Sequence, residues 1–336
     1  MSSIKKTLII AEAGVNHNGN MNYAKKLVLA AKKAGADYVK FQTFKAENVT
    51  KKNTLLVNYQ KNSNLKSQYE LLKKLELSEN QHKIIINFCK KNKIKFLSTP
   101  SDIDSCKLLK KLGLKIIKIS SGEINNYPLL VEISKFAKKV ILSTGMSNMF
   151  EIKNAIRILK KKNLKDNDIT ILHCTTSYPT QYEDVNILAI NFLKKKIKNP
   201  IGYSDHTSGK EAALAAVTLG ATIIEKHITL NKNLSGPDHK ASMEPKEFID
   251  FVKSIRNTQI ILGSNNKFAT NIEKINRLLI RKSIVAKKDI KKGEKFTIEN
   301  ITTKRPEGGL SPTYWEKVIG RKAIKNFNSD DFISLK

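Results

Sequence analysis

One recurring texture limits this chain more than any single motif. Eight apolar, partly β-branched runs follow one another at residues 7–13, 37–43, 94–99, 115–120, 140–145, 169–175, 199–205 and 222–227. Between them lie stretches whose apolar residues recur at helical spacing, such as 21–35 and 150–162. Near-continuous apolar strands alternating with helices predict a parallel sheet covered by helices. Eight such units predict a closed (β/α)8 TIM barrel in the α/β class. An open doubly wound sheet competes with this layout, but no GxGxxG turn follows an early strand.

Near residue 265 the texture changes. Short strands, turns at Gly293 and at Gly308-Gly309, and little helical spacing outside 312–318 predict a small β-rich domain. The predicted layout is a barrel over 1–264, a linker over 265–280 and the small domain over 281–336. A chain of 336 residues accommodates one core of about 250 residues and one small extra domain. A domain of about sixty residues has a marginal core of its own, so docking on a partner surface is expected.

The formal net charge of +31 first suggests a nucleic-acid binder, because cations neutralise phosphates. Yet only six of the 61 basic residues are Arg: Arg157, Arg256, Arg277, Arg281, Arg305 and Arg321. Phosphate and base readers lean on the planar Arg fork. Here lysines cluster on solvated helix faces, at 32–33, 160–162 and 194–196, and abundant Asn and Ile beside them suggest a compositional bias of the genome. The expected partner is an anionic small molecule steered inward by the positive field, and not nucleic acid. No apolar run is long enough to span a bilayer, so no membrane partner is expected. The opening MSSIKKTLII resembles a signal segment, but Glu12 interrupts its apolar run and a buried strand is the better reading. Cys89, Cys106 and Cys174 lack metal-like spacing and leave one thiol unpaired, which points to a reducing cytoplasm.

A barrel gathers its chemistry at the C-terminal ends of its strands. Those ends carry Glu12, Lys40 with Gln42, Ser98 and Thr99, Lys118 with Ser121 and Glu123, Ser143 and Thr144, Thr175 and Thr176 with Tyr178, Ser204 with Asp205 and His206, and Glu225 with His227. A ring of ionisable groups buried without partners costs several kcal/mol per charge, so a structural barrel would not keep one. His206 and His227 end successive strands and can share one metal ion, leaving positions for water and substrate oxygen. Lys40 and Lys118, with the hydroxyls around them, form a receptor for phosphate and carboxylate. Glu12 and Glu123 either pair with these lysines or manage protons during addition to a carbonyl; the residues leave both roles open. His17 is expected at the mouth and His239 near substrate, while His82 and His173 read as structural or surface residues.

Ten segments then carry a resemblance: AEAGVNHNG (11–19), VKFQTFKAENV (39–49), LSTP (97–100), SSGEINNYPL (120–129), LSTGM (142–146), LHCTTSYPTQYEDVN (172–186), IGYSDHTSG (201–209), IIEKHITL (223–230), SGPDHKASMEP (235–245) and TTKRP (302–306). In this order, and over nearly the whole chain, they resemble the sialic acid synthase family, whose members carry a C-terminal antifreeze-like (β-clip) domain. The resemblance implies condensation of phosphoenolpyruvate with an N-acetylmannosamine-type aldose to a nine-carbon 2-keto acid, with release of phosphate. It implies a divalent metal, manganese before magnesium or cobalt, on His206 and His227. It implies phosphoenolpyruvate contacts at Lys40, Gln42, Thr99, Lys118, Ser121 and Ser204. Sugar contacts are implied at Glu12, Glu123, Tyr178 and Asp238, and at Arg305 reaching in from the neighbouring chain of a domain-swapped homodimer.

The chain departs from the family pattern at Ser101, where an aromatic is usual, at Ser120, where Pro is common, and at Glu307, where Gly follows the KRP run. Thr176 stands where some members use Asn against the phosphate. The motifs look closer to synthases of N,N'-diacetyllegionaminate and N-acetylneuraminate than to those of pseudaminate, with a slight lean to legionaminate. Two other readings stay open: a Schiff-base aldolase with Lys118 as nucleophile, and a basic nucleic-acid-binding module on an inert barrel.

Overall fold

Strands buried almost continuously on both faces build the architecture. The computed structural model describes residues 6–56 and 67–336. Its strands are β1 (Leu8–Gly14), β2 (Tyr38–Thr43), β3 (Lys95–Pro100), β4 (Ile116–Ile119), β5 (Lys139–Ser143), β6 (Ile169–His173), β7 (Ile201–Asp205) and β8 (Ile223–His227). They pair in parallel in the order β3-β2-β1-β8-β7-β6-β5-β4. β3 and β4 lie side by side and close the circle. This is the TIM barrel expected from the eight apolar runs.

The covering helices are α1 (Met21–Ala34), α2 (Ala46–Val49), α3 (Gln68–Leu75), α4 (Glu79–Lys91), α5 (Ile103–Lys111) and α6 (Tyr127–Ser134). They continue as α7 (Met149–Leu159), α8 (Ala189–Lys196), α9 (Glu211–Thr218) and α10 (Pro245–Leu262). Their ends follow local chemistry. Asn20 caps α1 by accepting from the amides of Asn22 and Tyr23, and Ser78 with Gln81 forms a capping box on α4. Gly35 ends α1 in the left-handed region at φ 83°, which a side chain would resist.

A strand turns successive side chains to opposite faces. Outward residues such as Ile9, Val39, Phe41, Ile117 and Ile224 pack against the helices in the main core. Inward residues Ile10, Tyr38, Leu97, Ile141, Leu172 and Ile223 form a separate apolar cluster. That cluster floors the barrel, because the polar inward residues Glu12, Lys40, Thr99, Ser143 and Glu225 each come two positions after one of its members, and Lys118 comes two after Ile116, which packs against it. Gly202 on β7 has no room for a side chain: a Cβ there would lie 2.5 Å from Leu172 Cδ2 and 2.6 Å from the Ile223 carbonyl.

The chain divides into Met1–Gly263 and Ser264–Lys336. The stretch expected as a linker, 265–280, contains helix α11 (Asn271–Ile280) and belongs with the second unit. Thr270 and Glu273 form its capping box, and the Arg277 guanidinium holds Glu307 at 2.9–3.2 Å. Fixed at both places, the segment is a structured part of the unit. The rest is β-rich in the loose sense: β9 (Ser283–Ala286) pairs antiparallel with β10 (Ile301–Lys304), and three isolated bridges reach Lys322, Phe327 and Phe332. One short helix, α12 (Trp315–Val318), adds to a core of Ile284, Ile290, Phe296, Ile301 and Phe327. Among the described residues, no helix is long and apolar enough to cross a membrane.

Candidate active site

The strand ends of the barrel surround a cavity of about 480 Å³. Twelve side chains expected at the site line it: Glu12, Lys40, Gln42, Thr99, Lys118, Ser121, Thr176, Tyr178, Ser204, His206, His227 and Asp238. Two others stand elsewhere. Glu123 sits on a 3-10 turn after β4, accepts a hydrogen bond from Asn126 at 2.6 Å and is not among the lining residues. Arg305 is exposed on the second unit, at a cis bond to Pro306.

The histidines sort themselves by burial and partner. His17 and His239 do not line the cavity. His17 Nδ1 accepts the Gly19 amide at 3.0 Å, and His239 lies 2.7 Å from the Thr229 hydroxyl and 3.2 Å from Asn18 Oδ1. His82 is fully buried behind β2 and β3, in a chain with Thr43 at 2.8 Å and Ser98 at 2.7 Å. Ser98 therefore faces outward, away from the site. His173 also points out and lies 2.8 Å from the Val185 carbonyl.

Deep in the cavity, charges compensate one another. Lys40 Nζ lies 3.0 Å from Glu12 Oε1, 3.5 Å from Glu225 Oε2 and 3.0 Å from the Thr99 hydroxyl. Lys118 Nζ lies 3.4 Å from Glu225 Oε1, which also accepts from Ser204 at 2.9 Å. Burial works against the Lys40 cation, but Glu12 and Glu225 outweigh it and raise its pKa. For Lys118, burial prevails over the pull of Glu225 and lowers the pKa. Burial likewise carries Glu12 above the ordinary carboxylate value against the pull of Lys40. Glu225 is buried too, but Lys118 and Lys40 hold it ionised and depress its pKa. Glu225 thus joins both lysines; the sequence marked it as a strand-end residue without giving it this role.

Nearer the mouth stand the two imidazoles, ring centroids 5.6 Å apart, with Tyr178 packed on both. Burial lowers the pKa of each, to about 4 for His206, so both are neutral at pH 7. His206 Nδ1 lies 2.6 Å from the Thr175 carbonyl and donates to it, which leaves Nε2 as a lone pair. His227 Nδ1 is buried without a hydrogen-bond partner, 3.7 Å from Asp238 Oδ2. Glu12 Oε2 is also orphaned. Buried polar atoms left this way call for a ligand or an ion. His206 Nε2 lies 3.4 Å from the Ser204 hydroxyl, and neutral imidazoles of this kind suit a divalent transition-metal cation. Among the described residues no group of three or more His, Cys, Asp or Glu could hold a metal. A cation there would take two imidazoles from the chain and oxygen from water or substrate.

Several lining residues carry no polar signal and escaped sequence reasoning. Leu71, Leu72 and Leu75 of α3, with Val15, give the cavity an apolar wall. Helical spacing marks such leucines as core, which three of these four also are. Cys174 lies 3.3 Å from Ser121 Oγ, and that hydroxyl accepts the Gly145 amide at 2.9 Å.

Comparison with known proteins adds the following. Residues 27–267 match the model of the NeuB family, and residues 281–336 match that of the SAF domain. The chain is 52% identical to an N,N'-diacetyllegionaminic acid synthase of Campylobacter jejuni, over 98% of this chain and 99% of the other. It is 35% identical to a human N-acetylneuraminate-9-phosphate synthase, over 97% and 90% of the two chains. Among solved structures it resembles an N-acetylneuraminic acid (sialic acid) synthetase from Leptospira borgpetersenii in complex with citrate. That likeness has a TM-score of 0.73 at 36% identity and covers 81% of this chain and 90% of that one.

Proposed function

The chain belongs to the NeuB family, with a SAF domain over residues 281–336, and from this premise we propose that its barrel condenses phosphoenolpyruvate with an N-acetylated amino aldose. It is an enzyme, a synthase of the transferase class. The observation that carries the fuller reading is the meeting, in one cavity, of two buried lysines with two neutral imidazoles. Lysines compensated by Glu12 and Glu225 can exchange those partners for the phosphate and carboxylate of phosphoenolpyruvate. A divalent cation on His206 and His227, manganese first, would supply Lewis acidity that polarises the sugar aldehyde.

The reaction balances as follows. Carbon 3 of phosphoenolpyruvate bonds to the aldehyde carbon, and the aldehyde oxygen takes up a proton. Water adds at carbon 2, phosphate leaves, and a 2-keto acid remains. Glu12, held above its ordinary pKa by burial, is the cavity carboxyl suited to carry that proton. Lys40, Lys118, Thr99, Ser121 and Thr176 orient the phosphoenolpyruvate, while Tyr178 and Asp238 face the sugar.

The leucine wall favours an aldose that presents a methyl group over one that presents a hydroxyl, since a buried hydroxyl there would lack a partner. This supports the 2,4-diacetamido-2,4,6-trideoxy sugar and hence N,N'-diacetyllegionaminate as product, in line with the relative at 52% identity. A homodimer is part of the proposal. α11 exposes Ile272, Ile275, Leu278 and Leu279, an apolar face that a second copy would cover, and Arg305 would serve the partner's site. Three free thiols suit a reducing cytoplasm, where this chemistry is assigned.

Phosphate release from phosphoenolpyruvate, measured against a panel of 2-acetamido aldoses with added manganese, tests the reading. His206→Ala should lower kcat by at least 100-fold while the circular dichroism spectrum stays that of the wild type. Activity retained by that variant in metal-depleted buffer would remove the metal from the proposal. One observation favours a second reading: burial lowers the pKa of Lys118, as a Schiff-base lysine requires. Covalent trapping by borohydride with pyruvate would decide for it.

A further inference from the structure

Directly behind the two imidazoles, on the outer face of the strands, lies an ion pair that the proposed reaction does not use. Strand alternation turns Ser204 and His206 inward and Asp205 outward, and likewise Glu225 and His227 inward and Lys226 outward. Asp205 and Lys226 are register partners between β7 and β8. Both side chains are wholly buried, and Lys226 Nζ lies 2.9 Å from Asp205 Oδ2. The same ammonium reaches the Gly209 carbonyl at 2.9 Å and the Thr207 carbonyl at 2.5 Å. An ammonium has three protons, and here each finds an acceptor. The other carboxylate oxygen of Asp205 accepts the Thr207 amide at 2.9 Å and its hydroxyl at 2.8 Å. Phe251 of α10 covers the amine at 5.9 Å from its ring centroid.

The consequence is geometric. His206 sits inside the turn 205–209, which Lys226 and Asp205 hold at three residues. His227 is the next residue after Lys226. The backbone neighbours of both imidazoles are therefore tied to one another, and the distance between the two rings is set from behind. We propose that Asp205 and Lys226 form a positioning pair: they touch neither substrate nor ion, and they fix the separation at which His206 and His227 meet a divalent cation. This rests on the reading of those histidines as cation ligands. A site with only two ligands from the chain depends strongly on their spacing, because flexible imidazoles must be ordered again each time the ion binds.

The stability and positioning roles of a buried ion pair can be separated. Removing one partner strands a buried charge, whereas replacing both with apolar residues is often neutral for stability. The test is manganese binding to full-length protein, followed by the electron paramagnetic resonance signal of the free ion, alongside thermal unfolding. Asp205→Leu/Lys226→Met should unfold within a few degrees of the wild type and bind manganese roughly 10- to 100-fold more weakly, as the loss of a supporting shell does elsewhere. Asp205→Asn keeps the shape and should shift affinity in the same direction by several-fold; it serves if the double variant fails to fold. Wild-type affinity in either folded variant overturns the positioning role. His206→Ala sets the floor. If it binds manganese as the wild type does, the cation reading itself is wrong and this proposal goes with it.

Discussion

At the residue scale, the site depends on which side of each strand a side chain leaves. Glu12, Lys40, Thr99, Lys118 and Glu225 enter the cavity, while Ser98 and Asp205, one position away from inward neighbours, point to the helices. That parity is written in the sequence, because apolar Ile10, Leu97 and Ile223 share the inward phase. Reading each strand end as a cluster blurred it. Glu123, expected in the site, is absent from the cavity lining for another reason: it follows the strand, on a turn whose direction no alternation fixes. Glycine 145 shows how tightly the anion end is built. A Cβ there would lie 2.8 Å from Thr176 Cγ2 and 3.0 Å from Ser121 Oγ. Gly145→Ala must displace the hydroxyl that the Gly145 amide holds, so it should raise KM for phosphoenolpyruvate about tenfold or more and leave KM for the sugar within about twofold. Steady-state titration of each substrate at saturating levels of the other measures this, and equal effects on both would disconnect Ser121 from the anion.

At the element scale, helix α10 packs between α1 and α9 and grips the residues that lead into β1 and β2, far away in sequence. Arg256 donates to the Thr7 carbonyl at 2.6 Å and to Asp37 at 2.9 Å, and Asp37 also accepts the Ile9 amide and the Lys6 ammonium at 2.9 Å. Burial opposes the Asp37 charge, but Lys6, the Ile9 amide and Arg256 outweigh it and depress its pKa. A carboxylate depressed on folding stabilises the protein fully above its unfolded-state pKa of about 3.9, and this contribution is lost as pH falls through the lower folded value. Asp37→Asn should therefore cost about 1–2 kcal/mol at pH 7, a figure reduced for partial solvent exposure, and much less near pH 2. Urea unfolding of both proteins across that range tests the sign; a gap that widens in acid would contradict it. Strands and covering helices were legible because apolar runs and helix-spaced segments alternate eight times. Helix α11 was not, because its apolar residues Ile272, Ile275 and Leu279 remain exposed within one chain and look like surface.

At the scale of the whole molecule, the surplus of positive charge is spread thinly. Its ion pairs are mostly exposed, such as Lys73 with Glu47, and pairs of that kind contribute little. The barrel holds its own charges far more closely, which is why net charge alone first suggested nucleic acid and the strand ends did not. The apolar floor under the cavity has a kinetic consequence. Ile10, Tyr38, Leu97, Ile141, Leu172 and Ile223 stop the lumen below the lysines, so the chamber has no exit on that side. A molecule seated on Lys40 and Lys118 lies beneath whatever rests against His206 and His227, and the two must queue. Phosphoenolpyruvate should enter first and the sugar second. An unreactive sugar analogue should then be uncompetitive against phosphoenolpyruvate in initial-rate measurements, whereas random entry would make it mixed.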